Sequence, residues 1–173
     1  MKKRTINESI IKNALDVIFE QNDAVSAIHT VLEMIGKHFR ADRAYIFEDN
    51  IDHLGSRNTF EWCAGGIAPQ KDDSQNVRFK DILGYPVSEL FKENSVWYRS
   101  DFSKMEDGPL KRLLLKRNIK TAILVALFEY GDFAGFIGLD FYDAPKELAS
   151  EQIELLLWQR LFLMRYQGQN ILS

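Results

Sequence analysis

Apolar positions are densest between Ile119 and Tyr142, in two runs separated by the dipeptide Gly131–Asp132. Both runs are rich in β-branched and aromatic residues and nearly unbroken by polar ones. That pattern predicts two strands covered on both faces, in the middle of a sheet. Gly131–Asp132 suits a two-residue hairpin turn, since glycine reaches positive φ without steric cost. The rest of the chain is expected to pack around this hairpin.

Upstream, Thr5-Ile6-Asn7-Glu8 has the form of a capping box, and Ile6, Ile10, Ala14, Val17 and Ile18 recur at helical spacing. Asp23 is placed to cap a second helix whose apolar stripe is Ala24, Ala27, Ile28, Val31, Ile35 and Phe39. Alternation then predicts a strand over Arg43–Glu48, with Tyr45 and Phe47 on one face and Ala44 and Ile46 on the other. A second strand follows over Thr59–Ala64, on which Phe60 and Trp62 share one face and Glu61 and Cys63 the other. From Ile67 to Met105 periodicity fails, yet Phe79, Tyr85, Phe91, Trp97, Tyr98 and Phe102 keep the segment aromatic. Disordered chains are poor in aromatics, so this reads as a lid folded over the sheet, with a short strand at Val96–Arg99. Gly108–Pro109 opens another helix that presents Leu110, Leu113 and Leu114 inward and closes at Asn118. Ser150 caps a last helix carrying two apolar stripes, one through Ile153, Leu156, Leu157, Leu161 and Met164, the other through Leu155, Trp158, Phe162 and Tyr166. A helix on the surface of one domain needs a single stripe, so the second predicts a homodimer through the terminal helices.

Composition narrows the classes. A chain of 173 residues with 46% apolar and 27% charged residues is an ordinary globular protein of one domain. A net charge of −3 leaves no electrostatic footprint for nucleic acid. No run of 18 apolar residues occurs, and the basic start Met1–Arg4 is not followed by the apolar stretch of a secretion signal. A cytoplasmic chain without a membrane span is expected, and the lone Cys63 fits a reducing compartment. One thiol cannot form an intramolecular disulfide or a thiolate cluster for zinc. His29 and His38, nine positions apart on one helix, do not converge on a metal, so no metal site is expected. The basic residues Lys111, Arg112, Lys116, Arg117 and Lys120 read as a solvated helix face matched to the helix dipole.

The order of elements, helix, strand, strand, lid, strand, strand, helix, resembles that of a GAF domain. The segment Asn58–Gln70, with Glu61-Trp62-Cys63 at its centre, resembles the second-strand region of GAF domains in bacterial sensory proteins, many of them joined to GGDEF diguanylate cyclases. Ile119–Leu127 and Gly135–Asp140 resemble the hairpin of the same group. The resemblance implies an α+β fold of the GAF-like (profilin-like) type, an antiparallel sheet with the terminal helices on one face and a lid over a ligand pocket on the other. It divides the chain into a linker or dimerisation helix over 1–22, a GAF domain over 23–167 and a tail over 168–173. The chain lacks the Asn-Lys-Xaa-Asp signature of cyclic-nucleotide-binding members, and Cys63 is followed by Ala64 where bilin-attaching members place His. The methionine-sulfoxide-reducing members cycle several cysteines, which one thiol cannot do.

The function so implied is a non-catalytic sensory domain that binds a small molecule and regulates a signalling output, a diguanylate cyclase or related cyclic-di-GMP enzyme on the same or a partner chain. The alternatives are a structural dimerisation module without ligand and an enzyme using Cys63 as nucleophile. The cofactor, if any, is not specified by the residues. Candidate ligand-binding residues are Trp62, Phe79, Phe91, Trp97, Arg99, Asp101 and Asp140. Trp62, Trp97 and Arg99 are expected to border a cavity beneath Val77–Phe102, Arg99 holding an anionic group and Asp140 accepting from a donor.

Overall fold

The computed structural model describes residues 9, 12–14, 16, 20, 23–50 and 54–157. Helix α1 (Ala24–Phe39) begins at Asp23, whose carboxylate accepts from the backbone N–H groups of Val25 and Ser26, and ends where Arg40 turns left-handed at φ 52°. Strands β1 (Arg43–Asp49) and β2 (Ser56–Cys63) follow. The aperiodic segment folds as short helical turns at Asp72–Ser74 and Val87–Phe91, around helix α2 (Phe79–Leu83). Strand β3 (Val96–Arg99), helix α3 (Pro109–Lys116), strands β4 (Thr121–Glu129) and β5 (Asp132–Phe141), and helix α4 (150–157) complete the order.

The strands form one antiparallel sheet in the order β2-β1-β5-β4-β3. The apolar hairpin does take the interior of the sheet, β5 at its centre and β4 beside it. Its turn sits one residue earlier than the sequence suggested. Glu129 pairs with Asp132, which leaves Tyr130 and Gly131 as the turn residues, at φ 51° and 95°. Positive φ at both central positions matches the right-handed twist of the flanking strands, and Asp132 is free to open β5.

Side-chain alternation divides the sheet into two faces. One buries Ala44, Ile46, Ile123, Val125, Leu127, Ile137, Leu139 and Phe141 against Ile28, Val31, Leu32, Ile35 and Phe39 of α1 and Leu155 and Leu156 of α4. The other buries Tyr45, Phe47, Trp97, Ala122, Leu124, Ala126 and Phe136 against Val87, Phe91 and Phe102 of the cover and Ile119 just before β4. Covering on both sides is why β4 is buried over its first seven residues. Asn118, at φ 58°, turns the chain out of α3 and into β4.

Trp62 belongs to the helix face. A methyl group on Gly36 would lie 2.2 Å from the Trp62 ring, so α1 lays its glycine directly on the indole. Phe60, on the same face, meets His29 of α1 edge to face at 5.3 Å. Trp62 therefore packs under α1, contrary to its expected place beneath the lid. Alternation gave its parity correctly, and only the helix position decides which parity faces which layer. Most of the first predicted helix lies outside the described residues, though Ala14 is helical and buried in the helix-face core. Leu161, Met164, Trp158, Phe162 and Tyr166 of the two-stripe helix also lie outside them. Among the described residues no helix is long and apolar enough to cross a membrane.

Gly36→Ala is expected to destabilise the chain by roughly 1–3 kcal/mol, because a Cβ in contact with the Trp62 ring must displace it. Helix propensity alone gives the opposite sign, a gain of about 1 kcal/mol. Urea denaturation decides between the two, and a more stable variant would show that α1 does not rest on Trp62.

Candidate ligand-binding site

The register of the central strands places a polar cluster on the lid-side face. Arg43 of β1 is the partner of Asp140 of β5, and the adjacent pair is Tyr45 with Gly138. Across β1 and β2, Tyr45 is also the partner of Glu61. These residues share one face by parity, so the pairs that touch are the direct one, Arg43 with Asp140, and two diagonals, Tyr45 with Asp140 and Arg43 with Glu61. Glycine at 138 makes the first diagonal possible. A Cβ there would fall 2.2 Å from the Tyr45 ring, which lies across the vacant position and brings its hydroxyl to Asp140 Oδ1 at 2.9 Å.

Arg43 and Asp140 are each 1% exposed. Arg43 Nη2 lies 3.4 Å from Asp140 Oδ2, and Arg43 Nε lies 3.4 Å from Glu61 Oε1. Neither contact has hydrogen-bond alignment, so Arg43 Nε and Nη1 and Asp140 Oδ2 have no hydrogen-bond partner among the described residues. Glu61 is used more fully. Its Oε2 accepts from the backbone N–H groups of Gln70 and Lys71 at 2.8 and 2.9 Å, which fixes the loop after β2 to the sheet. Gln70 Oε1 accepts in turn from Arg117 Nη1 at 3.2 Å, tying that loop to the end of α3.

Above the cluster is a cavity of about 60 Å³ between sheet and cover. Arg43, Tyr45, Asp140 and Arg117 form its polar end. Phe47, Phe79, Leu83, Val87, Trp97, Leu110, Leu114, Ala122, Leu124 and Phe136 form most of the remaining wall. A cavity of this size has room for several waters or a small organic group. The geometry is that of an apolar slot closed by paired charges, which suits a molecule with an apolar body and one polar end.

Burial sets the protonation of this end. It pushes the Asp140 carboxyl up to about 6, against the pull of Arg43 and the Tyr45 hydrogen bond. Burial, with Asp140 adding to it, raises the Tyr45 phenol well above its usual range. Burial likewise raises Tyr142, to about 12. Burial opposes the charge on Arg43, but the neighbouring groups, Asp140 foremost, outweigh it and hold the guanidinium protonated.

The expected site residues divide. Phe79, Trp97 and Asp140 line the cavity. Phe91 is buried in the same apolar layer, stacked on Phe133 at 5.7 Å, but outside the cavity wall. Arg99 is exposed at the end of the edge strand β3, its guanidinium bonded to the Tyr98 carbonyl and lying 5.4 Å from the Trp97 ring. Strand parity points it to the lid side, but at the sheet margin the long side chain escapes to solvent. Asp101 caps the turn Phe102–Lys104 through Ser103, and those hydrogen bonds lower its pKa. Trp62 is on the other face. The basic group at the site is Arg43, backed by Arg117, and neither was singled out as a site residue. Arg43 had a signal in the sequence, as a charge that shares the parity of Tyr45 and Phe47. Arg117 had none, since the last turn of an amphipathic helix is an ordinary place for a cation.

Cys63 is half-buried on the lid-side parity of β2, and burial, reinforced by Glu61, pushes its thiol up. His29 packs on the helix face through Phe60, so α1 does not bring its imidazole to Cys63 as a base. His53 lies outside the described residues. Among the described residues no three His, Cys, Asp or Glu side chains cluster as metal ligands.

The architecture is that of a GAF domain, as solved structures show. The phycocyanobilin-bound GAF domain of a cyanobacterial phytochrome superposes with a TM-score of 0.78 at 14% identity, over 96% of each chain. The chromophore-binding domain of a bacteriophytochrome from R. palustris superposes with a TM-score of 0.79 at 11% identity, over 97% of this chain and 62% of that one. A far-red-absorbing protein in its dark state, with bound biliverdin IXα, gives 0.77 at 15%, over 92% and 98%. At these identities the likeness is one of fold. Among curated proteins, the methanogenesis regulatory histidine kinase FilI of Methanothrix harundinacea (strain 6Ac) is 28% identical over 138 residues, 78% of this chain. The chain spans only 15% of that relative's length. No family model matches the chain.

The raised Asp140 gives a signed pH dependence. Between the ordinary carboxyl value of 3.8 and about 6, the folded chain holds a proton that the unfolded chain has released. Asp140 thus contributes stability that is fully present below 3.8 and is lost as pH rises through 6, on the order of 3 kcal/mol at most. Asp140→Asn should remove this fall, so its stability relative to the unmodified chain should rise between pH 4 and 7. Parallel pH profiles in chemical denaturation would show that Asp140 is not ionising in a buried setting.

Proposed function

We propose that the chain is a non-catalytic sensory domain that binds a small molecule in the lid-side cavity and passes its occupancy to a signalling output module on the same or a partner chain. The observation that carries this is the paired buried charge at the end of an otherwise apolar cavity. Such a group costs desolvation free energy unless its partners are well aligned, and here three of its polar atoms have no hydrogen-bond partner among the described residues. A GAF-like fold and photosensory and regulatory relatives support the sensory reading.

For the output, the segments Asn58–Gln70 and Gly135–Asp140 favour a diguanylate cyclase or related cyclic-di-GMP enzyme. The likeness to a regulatory histidine kinase favours a kinase instead. A bilin, the ligand named for two of the solved relatives, fits poorly. Four linked pyrrole-type rings far exceed a cavity of about 60 Å³, and Cys63 is not among the residues lining it. We also propose that the segments Thr5–Asn22 and Ser150–Tyr166 form a parallel homodimer through the second apolar stripe of the last helix.

Three measurements test this reading. Ala122→Leu, which fills the cavity from its floor, should abolish the rise in melting temperature produced by any compound that stabilises the unmodified chain in a screen of small metabolites. Stabilisation that survives Ala122→Leu would place the binding elsewhere. Cys63→Ala and the unmodified chain should both show no turnover of nucleotides, peptides or methionine sulfoxide, and a Cys63-dependent rate would overturn the non-catalytic reading. Trp158→Glu with Phe162→Glu should convert a dimer to a soluble monomer by light scattering. An unmodified chain already monomeric at tens of micromolar would sink the dimer.

A further inference from the structure

Two cavities lie under the lid, and one aromatic ring stands between them. The inner one is the apolar slot described above. The outer one, also about 60 Å³, lies where β1 ends and β2 begins. Asp49, Ser56, Val77, Lys80, Pro86 and Phe133 form much of its wall. Phe79 and Val87 line both cavities. Val87 is buried and β-branched, so its short side chain has little freedom. Phe79 is the larger of the two and only half-buried.

Phe79 is the first residue of α2, a helix of five residues without a side-chain cap. The chain just before it is pinned to β2, where Ser56 and Val77 exchange backbone hydrogen bonds of 2.9 and 2.8 Å. That anchor sets the ring over the sheet, edge to face with Phe47 at 5.6 Å and with Phe136 at 5.8 Å. Both of those rings belong to the inner wall, so Phe79 closes the inner slot on the side of the outer cavity. Packing alone does not account for this place. A ring with a void on either side forgoes contacts that a closed core would give it.

An apolar cavity of roughly 150 Å³ holds a benzene ring. Each of these two is less than half of that. Joined by removal of the Phe79 ring, whose own volume is then added, they reach it. Granted that the cavity binds a ligand, we propose that Phe79 is its specificity-determining residue. It is a partition that confines the apolar part of the ligand to the inner slot and keeps out bodies the size of an aromatic ring. The ligand class so defined is a molecule whose apolar part has only a few carbon atoms.

Xenon and benzene serve as probes, followed through the backbone amides of the ¹⁵N-labelled chain, Ala122 for the inner cavity and Ser56 and Lys80 for the outer. Xenon should shift Ala122 in the unmodified chain, and benzene should shift none of the three. Phe79→Ala should bind benzene about tenfold more tightly than the unmodified chain, or better, with Ala122 and Ser56 shifting together. Phe79→Leu keeps an apolar chain on α2, serves if the alanine variant does not fold, and should move affinity in the same direction. Adding Ala122→Leu to either variant should remove the benzene shifts. Benzene binding to the unmodified chain as tight as to the variants overturns the partition. So do variants that take up xenon but no benzene, and benzene binding that survives Ala122→Leu. Each of these leaves the inner cavity a binding site. No xenon shift at Ala122 in the unmodified chain or in either variant overturns both the partition and the ligand-binding reading on which it rests.

Discussion

The cross-strand pair of Arg43 and Asp140 is the constraint around which the lid side of this molecule is built. It sits in the middle of the sheet, between β1 and β5, where both faces are covered and neither side chain reaches solvent. Bringing two charges out of water is expensive, and the attraction between them repays it only when the geometry is good. The neighbours of the pair compensate in recognisable ways. Gly138 leaves room for the Tyr45 ring, whose hydroxyl satisfies one oxygen of Asp140. Glu61 gives Arg43 a second carboxylate and at the same time anchors the loop that begins the cover. Through Gln70 and Arg117 the same network reaches α3, so the position of the lid helix is coupled to the charged floor beneath it. An occupant that altered the alignment of Arg43 and Asp140 would be felt at Glu61 and hence by the loop and helix above.

The two faces of the sheet do different physical work. The helix face is a conventional core of packed aliphatic chains, among them Ile28, Leu32, Ile35, Ile46, Ile123, Ile137 and Leu139, with the Lys146 ammonium at its margin over Phe141. Gly36 lets α1 approach the sheet closely enough to rest on Trp62. The lid face is aromatic and looser. Phe47 and Phe136 stack at 5.2 Å, Phe79 meets both edge to face, and Trp97 lies over Phe102 at 6.1 Å. Rings packed against short helical turns leave gaps that interdigitating aliphatic chains do not, and the cavity is one of these gaps. An aliphatic core on one side and a gap-containing cover on the other is a division that fits the proposed ligand-binding role.

Much of the fold was legible because its signals are local and redundant. The hairpin was visible in two apolar runs, α1 in a cap and a stripe, and α3 in Gly108–Pro109 and Asn118. The turn was misplaced by one residue because Tyr130 carries no sign of its positive φ, whereas the glycine beside it does. The site was legible in part. Asp140, Phe79 and Trp97 could be picked out as polar or aromatic residues at the right parity or in the cover. Trp62 could not be placed, because alternation sorts residues into two faces and is silent on which face meets the helices. Arg99 drew attention by its neighbours Trp97 and Tyr98, yet being near aromatics in sequence does not bury a side chain at the end of an edge strand. The arginine that lines the cavity on the sheet is Arg43, whose place there depends on a register between strands almost a hundred residues apart.

The presence of this pair bears on what the lid side is for. Well-packed apolar residues in place of a buried ion pair are often as stable or more stable, so stability alone is a weak reason for Arg43 and Asp140 to stand where they do. Fixing the register is a second candidate role, but β1 and β5 already pair over six positions, and the apolar parity of Ala44, Ile46, Ile137 and Leu139 specifies that register without help from charge. What apolar residues could not supply at this place is a charged pair at the end of an apolar slot. Local departures from the rules of a stable core tend to mark functional sites. Here the departure and the cavity coincide, which is the arrangement that the proposed recognition of a small molecule calls for.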